Sequence, residues 1–240
     1  MRTSSPAAGS CSPKRLGLAA ALAFLIAGCA AASPSAATAS LSSAHATPTV
    51  LSGPQLSRIL LPATSLPKGY KAGSATRNTG SQLAADTAHP MPASQVCQAF
   101  TQSSYVRAAG ITTDDWAESD YLNADQTQEV LQEIDIFTGT DAQKAMTTLW
   151  QEFGKCSSFS YPSNGATASS TLTRSRLPGQ GNDAMKAVIV SPLFEGGETL
   201  AAIRVGSQII TTLYSSTGKD LGSPAVGYAE QIAQRLRAAE

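Results

Sequence analysis

Asp114, Asp115, Glu118, Asp120, Glu129, Glu133 and Asp135 crowd one stretch of the chain, and Trp116 and Tyr121 lie among them. Paired carboxylates of this kind can serve glycoside hydrolysis as acid and base. A solvated sheet face and turn explains the same residues without catalysis. A Ser/His/Asp hydrolase needs a histidine in the fold, and the two histidines are His45 and His89. No Gly-x-Ser-x-Gly elbow is present. Gly179-Gln180-Gly181 has the look of a phosphate loop but lacks the Lys-Ser/Thr pair that follows one, so it reads as a turn. Trp116, Asp120 and Tyr121 are the residues expected to line a ligand cleft. Trp150 is expected in the core, because it falls on a helical apolar stripe. No catalytic residue is assigned, and the chain is expected not to be an enzyme.

The thiols carry a second kind of chemistry. There are four cysteines, Cys11, Cys29, Cys97 and Cys156. Arg2, Lys14 and Arg15 precede an apolar run from Leu16 to Ala27, which is too short for a membrane-spanning helix of about 20 residues. Positive charge, short apolar run and small residues, in that order, predict an export signal over residues 1–28. The ending Ile26-Ala27-Gly28-Cys29 resembles a bacterial lipobox. That resemblance implies a diacylglyceryl group on the Cys29 sulfur and cleavage just before it. Two acyl chains anchor stably where one does not, because each buried CH₂ contributes about 0.8 kcal/mol. Cleavage removes Arg2, Lys14 and Arg15 and leaves three more acidic than basic side chains, from a chain whose full-length charges balance at 17 and 17. A basic patch for lipid headgroups or nucleic acid is therefore not expected. The expected location is the outer face of the cell membrane.

Cys11 leaves with the signal and Cys29 takes the lipid, so Cys97 and Cys156 remain as an even pair in an exported chain. In an oxidising compartment a disulfide is expected; the alternative is two separate buried thiols. A loop of about 60 residues closed in this way is worth about 4 kcal/mol in the chain-entropy picture. No CxxC spacing occurs, and neither metal nor cofactor is expected.

The elements that must position these residues follow from composition and period. Residues 29–54 are an Ala/Ser/Thr/Pro tract with few large apolar side chains, expected to act as a disordered tether reaching about 25–30 Å. Residues 55–240 are expected to form the folded domain. Leu56 to Leu61 is a short helix ended by Pro62. Residues 79–91 read as loop. Pro92 to Ala109 reads as one helix carrying Cys97 and stopped by Gly110. Trp116–Asn123 and Glu129–Thr138 read as strands around the turn Asn123-Ala124-Asp125. Ala142, Ala145, Met146, Leu149, Trp150 and Phe153 make the clearest helical stripe, with Thr140 as cap and Gly154 as stop. Strands resume over 171–177, 187–190, 199–205 and 208–214, the last two flanking the hairpin turn Gly206-Ser207. Ser223 and Pro224 open a final helix. Hairpin connections dominate, so the expected class is α+β, a largely antiparallel sheet flanked by helices.

This arrangement resembles the PknH-like extracellular sensor domain, which mycobacterial receptor kinases and many actinobacterial lipoproteins carry. The resemblance rests on Leu60-Leu61-Pro62 with Leu66-Pro67-Lys68-Gly69-Tyr70, the Cys97 helix, and Trp150 through Phe153-Gly154-Lys155-Cys156. The loop Gly179-Gln180-Gly181-Asn182-Asp183-Ala184 and the hairpin from Ile203 to Ile210 add to it. It implies a sheet with flanking helices and a cleft for an extracellular ligand. The family's two disulfides are a departure, since this chain can supply one. The expected function is that of a membrane-anchored, non-enzymatic sensor-like lipoprotein binding a small molecule, glycan or envelope protein. The alternatives are an envelope interaction protein, docking through a sheet face, and a hydrolase using the carboxylates.

Overall fold

Two-residue alternation in the middle of the chain produces a single sheet with an apolar cluster on each face. In the computed structural model, the described residues are 50–73, 78–81, 93–101, 105–163, 166–192, 194–217 and 223–240. The expected signal, Cys29 and nearly all of the expected tether therefore lie outside the described residues, as does His89. The strands are β1 (Lys71–Ala72), β2 (Asn78–Ser81), β3 (Asp115–Leu122), β4 (Gln128–Ile136), β5 (Ser158–Ser163), β6 (Ala166–Arg176), β7 (Asp183–Ser191), β8 (Phe194–Val205) and β9 (Gln208–Ser216). They form one antiparallel sheet in the order β1-β3-β4-β9-β8-β7-β6-β5, with β2 also paired to β3. The helices are α1 (Gly53–Ile59), α2 (Ala93–Ala99), α3 (Asp141–Lys155) and α4 (Ser223–Ala239), so the expected α+β class is what the structure shows.

Each sheet face has its own core. On the first face, Val130, Ile134 and Ile136 of β4 pack with Ile203, Ile210 and the helix residues Leu56, Ile232 and Leu236. Gln132 is buried there as well, and its amide donates to the Leu61 carbonyl at 2.8 Å while its oxygen accepts the Leu61 N–H at 2.9 Å. That two-way bond satisfies a buried amide and ties the Leu60-Leu61-Pro62 segment to the sheet. On the second face, α3 lays Ala142, Ala145, Met146, Leu149 and Phe153 against Met185, Ala187, Leu200 and Ile209.

The expected single helix over 92–109 is instead α2 and a separate 3-10 helix, Tyr105–Ala109. Both the N–H and the hydroxyl of Thr101 bond the Gln98 carbonyl, which closes α2 with a three-residue turn. The Tyr105 hydroxyl then donates to the Ala201 carbonyl at 2.6 Å, fastening the second piece to the sheet. Cys97 and Cys156 form a disulfide with Cα atoms 5.4 Å apart, joining α2 to the end of α3.

Three other expectations change. Residues 79–81, expected as the start of a loop, belong to β2, an edge strand whose polar sequence shows no alternation. Gly154 does not stop α3, which runs on to Lys155; a Cβ at 154 would meet the Arg174 guanidinium at 2.6 Å, and that flexible side chain would have to shift. Trp150 is only half-buried. Its ring lies 4.1 Å from each of the Arg174 and Arg176 guanidinium carbons, and Arg174 also donates to the Trp150 carbonyl. The helical period put Trp150 at the margin of the stripe, where a cation-stacked ring can cover the sheet edge.

Helix α4 packs on β8 and β9, while Ser158, Ser160, Thr171, Thr173 and Val190 on the same face of β5–β7 are exposed.

Candidate functional site

A β-strand sends alternate side chains to opposite faces, so register decides which carboxylates meet. On the second face, β3 contributes Trp116, Glu118 and Asp120, and β4 contributes Glu129, Glu133 and Asp135. The register sets Trp116 opposite Asp135 and Glu118 opposite Glu133. Across β9, Glu129 neighbours Ser215, and Ser215 neighbours Glu198 of β8. Adjacent strands stand about 4.8 Å apart, so acidic side chains run in a field across three of four neighbouring strands.

The burial of this field is unusual for carboxylates. Asp120, Glu133, Asp135 and Glu198 are 5%, 3%, 0% and 2% exposed. Isolated buried carboxylates neutralise rather than stay charged. Burial pushes Asp135 well above its usual range, and the neighbouring Glu133 adds to the shift. Arg107, on the 3-10 helix above the face, opposes it. Burial and then the charge of Glu129 push Glu198 up to about 8. Glu129 is itself raised by burial and by Asp120. Burial, Glu133 and Asp135 together raise the Tyr105 hydroxyl. At neutral pH Glu198 is therefore largely protonated and can donate as well as accept. Asp120 Oδ1 and Glu198 Oε2 are buried without a hydrogen-bond partner among the described residues.

Asp120 has a tight wall. The Gly73 N–H donates to the Asp120 carbonyl at 3.1 Å, and a Cβ on Gly73 would collide with the Asp120 carboxylate. Glycine at this position lets the chain after β1 press directly on the side chain.

Of the residues expected to line a cleft, Trp116 and Asp120 share this face, Trp116 half-buried and Asp120 buried. Tyr121 does not join them. It is one residue out of phase, faces the first core, and its hydroxyl donates to the Leu61 carbonyl at 3.1 Å. Glu198, Arg107 and Gly73 were not singled out from the sequence. Glu198 alone carried a signal, as a charged residue leading the apolar run Leu200-Ala201-Ala202-Ile203 at a position in phase with Leu200 and Ala202. Among the described residues no three His, Cys, Asp or Glu side chains converge to hold a metal ion. Nor is any helix among them long and apolar enough to cross a membrane.

Neither a family model nor a curated protein matches the chain. Among solved structures, the fold is that of the extracellular domain of PknH from Mycobacterium tuberculosis, with a TM-score of 0.58 and 14% sequence identity over 78% of this chain and 97% of that one.

Proposed function

We propose that this chain is a membrane-anchored, extracytoplasmic lipoprotein whose folded domain is a non-enzymatic sensor-like module. Its ligand would be recognised at the acidic second face, around Trp116, Asp120 and Glu133. The observation that carries the reading is the shared fold, which spans nearly the whole of an extracellular domain and most of this chain. Export and anchoring rest on the n-region, the short apolar run and the Ile26-Ala27-Gly28-Cys29 ending. A part-exposed tryptophan beside a cluster of carboxyl groups offers a stacking surface next to polar and acidic groups, which suits a ligand rich in hydrogen-bonding or cationic groups. Catalysis is the weaker reading, because the carboxyls are held by one another rather than as a separated acid and base.

Two experiments test it. Cys29→Ser should abolish acyl labelling and membrane retention; unchanged labelling and retention would remove the anchor from the reading. Thermal shift of the full chain against cationic and neutral small-molecule fractions of the cell envelope should give a stabilising fraction whose effect is lost in Trp116→Ala. If no fraction shifts the protein, ligand binding at this face is wrong.

A second reading, docking of another envelope protein, is favoured by the uncovered Ser/Thr face of β5–β7 with Val190 52% exposed. Cross-linking in cells from Thr171 and Thr173 should then recover a partner.

A further inference from the structure

The outer side of α3 has a pattern that its folding role does not require. Its charges are paired within the helix, Lys144 to Asp141 and Lys155 to Glu152, each at 2.7 Å. The remaining outward positions fall in two rows at helical spacing that carry no carboxylate. Gln143, Thr147 and Gln151 make one, and Thr140 and Thr148 flank Lys144 in the other. Residues four apart on a helix stand one above another. Thr147 and Gln143 are exposed, so packing does not select them. Threonine is also a poor choice for an exposed helix interior, where Ala, Glu or Lys would favour the helix more. Thr147 even spends its hydroxyl on the Gln143 carbonyl, at 2.9 Å, which does not strengthen the helix ladder.

These rows form one wall of a groove. The other wall is the end of the 3-10 helix and the segment after it, with Ala109 and Ile111 as an apolar strip. The groove holds about 570 Å³, within the range of small-ligand sites. No carboxylate lines it. Amides and hydroxyls each donate and accept, as sugar hydroxyls do. Ile111 can meet the C–H face of a pyranose. A peptide would need buried aromatic or aliphatic anchors, and Ala109 and Ile111 supply too little for that.

We propose that the groove between α3 and the 105–111 segment binds a neutral saccharide of one to three units, held by Gln143, Gln151, Thr140 and Thr148 over Ile111. This site is on the outer side of α3 and does not rest on ligand binding at the acidic face.

The test uses the full chain with its disulfide intact, titrated with maltotriose and with N,N′-diacetylchitobiose by calorimetry and saturation-transfer NMR. At least one should bind saturably, with a dissociation constant on the order of 1 mM, as befits an open site. The double variant Gln143→Ala with Gln151→Ala changes exposed side chains and should keep the wild-type melting curve while weakening binding about 10-fold or more. Thr148→Tyr should fill the groove and abolish binding. Glu198→Gln should leave it unchanged. Absence of saturable binding by both sugars overturns the proposal. So does sugar binding that survives both groove variants, or a groove that takes an Ala/Gly peptide and neither sugar.

Discussion

Glu118 and Glu133 stand directly opposite one another on β3 and β4, on the face that also holds Asp120, Asp135 and Glu198. Like charges at facing positions of an antiparallel pair are destabilising, and burial strengthens the effect. Burial favours the protonated forms of Asp135 and Glu198 on this face, and Arg107 is the cation acting on Asp135.

The proton held by Glu198 makes stability depend on pH. Its folded-state pKa is about 8 against an ordinary value of 4.5. Between those values the folded chain binds more protons than the unfolded one, so stability falls as pH rises from about 4.5 to about 8 and levels off above. Asp135 works in the same direction. Glu198→Gln keeps the shape and removes the titration. It should therefore raise stability at pH 8 by on the order of 1–3 kcal/mol and change it little at pH 4. Urea unfolding across this range checks it; a variant with the wild-type pH slope would refute the assignment.

Gly73→Ala forces a Cβ into the Asp120 carboxylate. Overpacking of a buried site costs about 1–3 kcal/mol. The double variant Gly73→Ala with Asp120→Ala should recover most of that loss, because the colliding group is gone. Thermal unfolding of the two variants measures the coupling.

Replacing Cys97 and Cys156 together by serine removes the link between α2 and the end of α3. The loss should be about 2–4 kcal/mol. Hydrogen exchange should quicken most in α2, which has only seven residues and few other attachments. Uniform loosening of the whole sheet would point to another role for the bridge.

Trp150→Ala removes the ring that Arg174 and Arg176 cover. A partly exposed cation–π contact contributes about 0.5–1 kcal/mol, and loss of the ring's packing adds to it. Arg176→Gln should cost less, since Arg174 still stacks and Arg176's ion pair with Asp183 is largely exposed. Denaturant midpoints of the two variants give the order.

The elements legible from the residues alone are those whose signals are local. Five or six apolar positions at helical spacing placed α3, Gly206-Ser207 placed the β8–β9 hairpin, and the Asn123–Asp125 turn placed β3 and β4. The α+β class and the Cys97–Cys156 bridge followed from the same kind of evidence: hairpin-length connections, and an even pair of cysteines behind an expected export signal. The two-residue period of β3 even contained the separation of Tyr121 from Trp116 and Asp120, although a shared stretch of sequence suggested one cleft.

What tertiary structure decided is non-local. Polar Asn78–Ser81 is a strand because β3 offers it an unpaired edge. The 3-10 helix Tyr105–Ala109 is fastened where Tyr105 finds the Ala201 carbonyl, 96 residues along the chain. Glu198 joins Glu129 only because β9 lies between β8 and β4. A carboxylate's charge state depends on what surrounds it, and only the assembled sheet brings those neighbours within range.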